Sequence, residues 1–186
     1  MACTLILGGA RSGKSALAER LAQESGREVT YIATSRAGDS EMNARVAHHR
    51  ARRPVHWRTV EEALRLAEGI RSECTAGRTV LVDCLTLWLT NLMLDGAPAV
   101  PEIGEFDLPP QFDAQRHAFL DLLEQGLPGE LLLVSNEVGM GIVPMSALAR
   151  RFADEAGRLH QAVAARADRV ILVAAGLPLV LKGAPC

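Results

Sequence analysis

The sequence predicts an α/β fold with a mainly parallel sheet covered by helices on both faces. Three observations predict it. Short apolar runs recur at residues 4–7, 29–33, 79–82, 131–135 and 170–174, each the length of a buried strand. Segments of helical length separate them. Strands joined through helices run parallel, because a parallel pair needs a long crossover that packs back onto the sheet. The third observation is a glycine-rich run, Gly8-Gly9-Ala10-Arg11-Ser12-Gly13-Lys14-Ser15, directly after Leu5-Ile6-Leu7.

That run fits G-x-x-x-x-G-K-[ST], the P-loop, and makes the expected fold P-loop NTPase-like. In a strand–loop–helix setting, successive backbone N–H groups point inward and cradle phosphates. Gly8, Gly9 and Gly13 allow backbone angles and close approaches that a Cβ would forbid. Lys14 is placed to reach the β- and γ-phosphates, and the Ser15 hydroxyl to hold Mg²⁺. The plainer alternative is a glycine turn followed by an unrelated lysine.

The elements follow in order. Residues 4–7 are a buried strand, and 14–24, rich in Ala and Leu, a helix ended by Gly26. Residues 29–33, Val-Thr-Tyr-Ile-Ala, have strand composition. Residues 39–50 are helical. Thr59, with Glu62 three positions on, has the form of a capping box and opens a helix expected to run to about Cys74. Residues 79–82 are a strand closed by Asp83, and 85–94 are apolar enough for a buried helix. Residues 96–110 carry four prolines, two glycines and three acids, the composition of a loop or mobile linker. A helix at 111–125, a strand at 131–135, a loop at 136–144, a long helix at 146–167 and a strand at 170–174 complete the pattern. Residues 179–181 are a candidate sixth strand. The P-loop, Ser35, Asp83 and Asn136 all fall at carboxyl ends of strands, where open α/β sheets bind ligands.

The chain has 186 residues, enough for one domain over 1–186. It is 48% hydrophobic and can bury a full core. A formal charge of −2 gives no overall electrostatic case for nucleic acid, so an anion site has to be built locally. Cys3, Cys74, Cys84 and Cys186 show no metal-ligand spacing and are expected to be reduced thiols, with Cys186 exposed. No signal-peptide pattern opens the chain, and no apolar run reaches about 18 residues. A cytoplasmic protein without membrane insertion is expected.

Two further constellations carry chemistry. Asp83, ending an apolar strand downstream of a P-loop, suits a Walker B carboxylate for Mg²⁺; an N-cap for the next helix is the alternative. On a helix at 41–53, Glu41, Arg45, His48 and Arg52 share one face, while Met42, Val46 and His49 lie on a more apolar one. A cationic stripe suits a polyphosphate, and a neutral imidazole is a nucleophile near pH 7. A solvated basic helix with a structural His49 is the competing reading. Trp57 is expected to pack its loop on the domain and His56 to be structural. Acids at Glu61 and Glu62 suit a helix first turn without any function. His117 and His160 are expected at the surface or core edge. In Asn136-Glu137-Val138-Gly139-Met140-Gly141-Ile142-Val143-Pro144, two glycines allow close backbone approach, and Asn136 and Glu137 sit where a substrate hydroxyl or metal-bound water can be met; simple packing on the sheet is equally open.

Taken together, the P-loop, Tyr31-Ile32-Ala33-Thr34-Ser35, His48-His49-Arg50, Arg53-Pro54, His56-Trp57-Arg58-Thr59 and the 136–144 loop closely resemble the bifunctional adenosylcobinamide kinase/adenosylcobinamide-phosphate guanylyltransferases of cobalamin biosynthesis. The resemblance spans nearly the whole chain. It implies phosphorylation of adenosylcobinamide by ATP or GTP, followed by transfer of GMP from GTP to adenosylcobinamide phosphate, giving adenosylcobinamide-GDP and pyrophosphate. It implies a GMP–histidine intermediate on the position of His48. It also implies nucleotide contacts at residues 8–15, at Ala33, Thr34 and Ser35, at His49, Arg50, Ala51 and Arg52, at Glu61 or Glu62, and at Asp83. A homotrimer is implied as well. The rival readings are a single-activity P-loop kinase of small molecules and a nucleotide switch. The chain lacks the N-K-x-D motif of a switch, and it lacks the L-S-G-G-Q signature of a transport ATPase.

Overall fold

The computed structural model describes residues 2–36, 54–97 and 104–185. The helix expected at 39–50, with His48, His49, Arg50, Ala51 and Arg52, lies outside the described residues, as does Cys186. The described elements are β1 (Ala2–Gly8), α1 (Lys14–Glu24), β2 (Glu28–Ala33), β3 (Arg58–Glu61), α2 (Leu66–Glu73), β4 (Arg78–Asp83), α3 (Leu85–Leu94), α4 (Gln111–Gln125), β5 (Glu130–Asn136), α5 (Ala147–Arg166), β6 (Arg169–Ala174) and β7 (Leu177–Lys182).

The strands form one sheet in the order β3-β2-β4-β5-β1-β6-β7. Every neighbouring pair is parallel except β6 and β7, which form an antiparallel hairpin. Side chains alternate across the sheet, so each strand serves two cores. Leu5, Leu7, Val80, Val82, Leu131 and Leu133 face the layer made by α2, α3, α4 and α5. Ile6, Leu81, Leu132 and Val134 face α1, which contributes Leu17, Ala18 and Ala22. Helices on both faces and a mainly parallel sheet agree with the expectation. The uninterrupted apolar runs of β1, β4 and β5 follow from burial on both sides.

The segment after Trp57 departs from it. A helix expected from Thr59 to about Cys74 is instead a strand at Arg58–Glu61, a turn, and a helix confined to Leu66–Glu73. Thr59 and Val60 are β-branched and add to the edge of β2, with Tyr31 opposite Thr59. Arg58 is tied to the buried Glu73 of α2 at 3.2 Å, which fixes the strand against the helix that follows. Glu62 does not cap the helix but closes the turn before it: its Oε1 accepts the Leu64 and Arg65 amides at 2.9 and 2.8 Å. The candidate strand at 179–181 is longer than expected and is β7. Its connection to β6 is two residues, Ala175 and Gly176, both at positive φ, the form that matches the strand twist of a hairpin.

The proline-rich stretch is not a loose linker where it is described. Phe106 is buried in the larger core, and Leu108 packs on it. The three described cysteines are free and buried. Burial pushes the Cys3 thiol up to about 12, and the Cys74 and Cys84 thiols to about 11. Trp88, fully buried on α3, meets Phe119 edge-on at 5.1 Å, and its indole N–H donates to the Leu64 carbonyl at 2.8 Å. That bond holds the turn between β3 and α2. Replacing Trp88 by Phe keeps most of the packing and strands the Leu64 carbonyl, so chemical denaturation should show a loss of about 1–3 kcal/mol.

Candidate functional site

β1 ends at Gly8, and α1 begins at Lys14. Between them the chain closes on itself, with the Ser12 N–H donating to the Gly9 carbonyl at 3.2 Å. Gly13 caps the helix at φ 97°, and Arg11 adopts φ 58°, rare for a residue with a Cβ. A Cβ on Gly8 would lie 2.6 Å from the Val173 carbonyl oxygen and 2.4 Å from Ser12 Oγ, so only glycine fits there. The outer wall of the loop is the β6–β7 hairpin. Gly176 donates its N–H to the Ser12 carbonyl at 2.8 Å, and its Cα sits 3.2 Å from where a Gly13 Cβ would be. This buttress was not legible in the sequence analysis, because the glycine after β6 belongs to no recognised motif.

Lys14 is buried, and its Nζ donates to the Gly9 carbonyl at 3.1 Å across the loop. Burial lowers its pKa, opposed by the negative charge of Asp83 and by Cys84. Asp83 ends β4 and does not cap α3, whose N-cap is Cys84 without a side-chain cap bond. The N-cap alternative for Asp83 is thereby removed. Ser15 lies half-buried in the first turn of α1. A serine hydroxyl and one carboxylate are hard oxygen donors of the kind Mg²⁺ takes, with phosphate oxygens and water completing its shell. Among the described residues, no cluster of three or more His, Cys, Asp or Glu side chains makes an all-protein metal cage.

The other predicted contacts sort by their neighbours. Ala33 and Thr34 are buried, and Ser35 is half-buried. The Thr34 hydroxyl donates to the Cys84 carbonyl at 2.7 Å and accepts the Cys84 N–H at 2.9 Å, tying the ends of β2 and β4. Asn91 donates to the Thr34 and Ala63 carbonyls at 2.7 and 3.1 Å. Glu62 is engaged in its own turn, whereas Glu61 stands exposed at the end of β3, opposite Ala33. His56 and His117 are exposed.

On the other side of the P-loop, β5 brings Asn136 and Glu137 to the same edge. The Glu137 N–H donates to the Gly8 carbonyl at 3.0 Å. Asn136 Nδ2 donates to Thr86 Oγ1 at 2.7 Å. His160 of α5 is not a surface residue: it is buried, with Nε2 2.7 Å from Ser135 Oγ and Nδ1 3.9 Å from Glu137 Oε2. Burial lowers its pKa below the ordinary 6.5, with Glu137 opposing. Beyond Glu137 the loop turns apolar. A cavity of about 380 Å³ lies there, lined by Val138, Pro144, Met93, Leu94, Leu148 and Phe152 among others.

A glycine-rich loop at the end of β1, a buried lysine inside it and an acid at the end of β4 define a P-loop NTPase-like protein. Its kind is given by the sequence as a whole: the family model for cobinamide kinase / cobinamide phosphate guanyltransferase matches residues 4–181, and the chain belongs to that family. The two transfer activities in the family's name are the chain's activities. It is 60% identical over 181 residues to the bifunctional adenosylcobalamin biosynthesis protein CobP of Pseudomonas aeruginosa, covering 97% of this chain and 98% of that protein. It is 45% identical over 179 residues to CobU of Escherichia coli, covering 96% and 98%. CobU of Salmonella typhimurium is 42% identical over 186 residues, with 96% and 98% covered. Among solved structures, the flagellar accessory protein FlaH from Methanocaldococcus jannaschii is similar at 12% identity and a TM-score of 0.49, over 98% of this chain and 78% of that one.

Two expected outcomes test this geometry. Gly13→Ala forces a Cβ into a left-handed position against the hairpin, so a thermal melt should show about 1–2 kcal/mol of lost stability together with weakened nucleotide binding. His160 binds its proton less readily folded than unfolded, so its contribution is complete above pH 6.5 and is lost as pH falls below that value. Urea midpoints at about pH 7.5 and about pH 5 should therefore differ less in His160→Gln than in the unaltered protein.

Proposed function

We propose that the chain serves adenosylcobalamin biosynthesis by carrying out two successive transfers at one nucleotide site, working as one domain. In the first, ATP or GTP gives its γ-phosphoryl group to the aminopropanol hydroxyl of adenosylcobinamide. In the second, an imidazole nitrogen of His48 bonds to the α-phosphorus of GTP as the α–β bridging P–O bond breaks and pyrophosphate leaves. A phosphate oxygen of adenosylcobinamide phosphate then attacks that phosphorus, the P–N bond breaks, and adenosylcobinamide-GDP forms.

The single observation that carries this reading is Lys14, held inside the loop with its Nζ 3.1 Å from the Gly9 carbonyl and under the influence of Asp83. An ammonium there faces a polyphosphate threaded through the inward amides of residues 8–15. In the kinase step it stabilises the transferred group. In the guanylyl step the same grip orients pyrophosphate as the leaving group. Ser15 and Asp83 are the residues that would hold Mg²⁺, which when bound neutralises charge on the phosphate oxygens. Ala33 ends β2 and Thr34 and Ser35 follow it at the same sheet edge; they serve the nucleotide through backbone and the Ser35 hydroxyl, since the Thr34 hydroxyl is engaged with Cys84. One of Glu61 and Glu62 contacts the nucleotide in this reading; the Glu62 carboxylate also accepts the Leu64 and Arg65 amides.

Support for His48 comes from helical spacing, which sets it among Arg45 and Arg52, and from the family resemblance. His49, Arg50, Ala51 and Arg52 complete the nucleotide contacts in this reading. The acceptor is a small molecule and not a nucleic acid, in keeping with a formal charge of −2. The protein acts in the cytoplasm as a homotrimer. Buried free cysteines suit that location, and no helix among the described residues is long and apolar enough to cross a membrane.

Incubation with α-labelled GTP tests the central step. An acid-labile, base-stable label should appear on the protein, disappear in His48→Asn and persist in His49→Asn. Lys14→Ala should abolish labelling and kinase turnover together. A protein that never takes up label, yet phosphorylates adenosylcobinamide, would be a kinase alone.

A further inference from the structure

We propose that Glu137 is the catalytic base of the kinase step, the carboxylate that removes the proton from the acceptor's hydroxyl. The inference rests on the two-step reading above and adds a residue to its first half.

Position comes first. β5 runs between β1 and β4, with Asn136 opposite Gly8 and Val134 opposite Asp83. Glu137 is the first residue past β5, the strand that separates β1, with its glycine-rich loop, from β4, with Asp83. Its backbone is locked to the nest by the bond from its N–H to the Gly8 carbonyl at 3.0 Å. A base for phosphoryl transfer has to sit beside the γ-phosphoryl position, on the side from which the acceptor arrives.

The surroundings of the carboxylate suit that work. Its Oε1 accepts the Gly139 N–H at 2.6 Å, which fixes the side chain's direction. Its Oε2 faces His160 Nδ1 at 3.9 Å. Among the described residues, no lysine or arginine forms an ion pair with it. A guanidinium partner would occupy its lone pairs and weaken it as a base; the His160 imidazole, at 3.9 Å, is too far to hydrogen-bond and leaves Oε2 free. Asp83, by contrast, shares its electrostatic environment with the Lys14 ammonium. Two carboxylates at one sheet edge thus have different partners, a division that suits two roles. Asn136 is no rival for the hydroxyl, because its amide is engaged with Thr86.

The next residue supplies the acceptor's side of the site. Val138 lines the apolar cavity of about 380 Å³, so polarity changes within one residue from carboxylate to hydrocarbon. An acceptor can set one apolar edge against this cavity and present a hydroxyl on a short arm to Glu137. The step balances as follows. The hydroxyl proton moves to Glu137 Oε2, the oxygen bonds to the γ-phosphorus, and the β–γ bridging P–O bond breaks to release the nucleoside diphosphate. The Glu137 side chain, 21% exposed, then returns the proton to water.

The guanylyl step has no hydroxyl to deprotonate: its nucleophiles are a neutral imidazole and a phosphate oxygen. The two half-reactions therefore separate the role from general damage. In Glu137→Gln, which keeps an acceptor for the Gly139 amide, the kinase kcat should fall by about 100-fold or more, with KM little changed. GMP transfer to supplied adenosylcobinamide phosphate should stay within about threefold of the unaltered protein, which also reports that the variant is folded. Glu137→Asp should recover part of the kinase rate. Kinase activity in Glu137→Gln within about fivefold of the unaltered protein, or an equal loss in both half-reactions, would overturn the assignment. An unaltered protein that phosphorylates no cobinamide would overturn the two-step reading itself, and the assignment with it.

Discussion

The hydrogen bond from the Gly176 amide to the Ser12 carbonyl is the contact on which the nucleotide site depends. A loop can aim its N–H groups inward only if its carbonyls find partners outside. The β6–β7 hairpin supplies that partner and sets its own glycine against Gly13, where a Cβ on Gly13 would lie 3.2 Å from the Gly176 Cα. On the opposite flank the Glu137 amide satisfies the Gly8 carbonyl. The anion nest is thus clamped between two neighbouring strands of β1, and its shape is a property of the sheet rather than of the loop alone.

Charge inside this frame is sparing. Lys14 is the cation inside the nest, and burial weakens its hold on a proton while Asp83 restores it. The histidine near the site is held neutral by burial, and the described cysteines are kept as thiols. In the proposed reading a triphosphate meets amides, the Lys14 ammonium and two carboxylates among the described residues, with the arginines of the 45–52 segment adding positive charge. Such a balance favours binding through oriented dipoles, which need not reorganise when phosphorus changes partner.

Much of the fold was legible because double burial leaves long apolar runs and because the P-loop fixes one strand–loop–helix junction in sequence. Helix boundaries at residues 14–24, 85–94 and 111–125 coincide with the structure. The segment 58–61 was not legible, since a capping-box pattern and a short β-branched edge strand share the same residue types. Edge pairing with β2 and the Arg58–Glu73 contact decided between them. At the site, Lys14, Ser15 and Asp83 could be named from spacing. The Thr34–Cys84 tie, the Gly176 buttress and the Ser135–His160 bond could not, because each joins residues far apart in sequence through tertiary contact.

The strand that carries the phosphate nest has an unusual dependence on distant chain. Both neighbours of β1 come late: Ala2 pairs with Glu130, and Thr4 with Arg169. An emerging polypeptide therefore exposes an apolar first strand long before its partners have been synthesised. Closing such long loops is entropically slow, so the loop after β1 takes its shape only once β5 and β6 are in place. Loss of the β6–β7 hairpin would leave the loop's outer carbonyl unpartnered, and a chain cut before it would lack one of the two walls that hold the loop in shape.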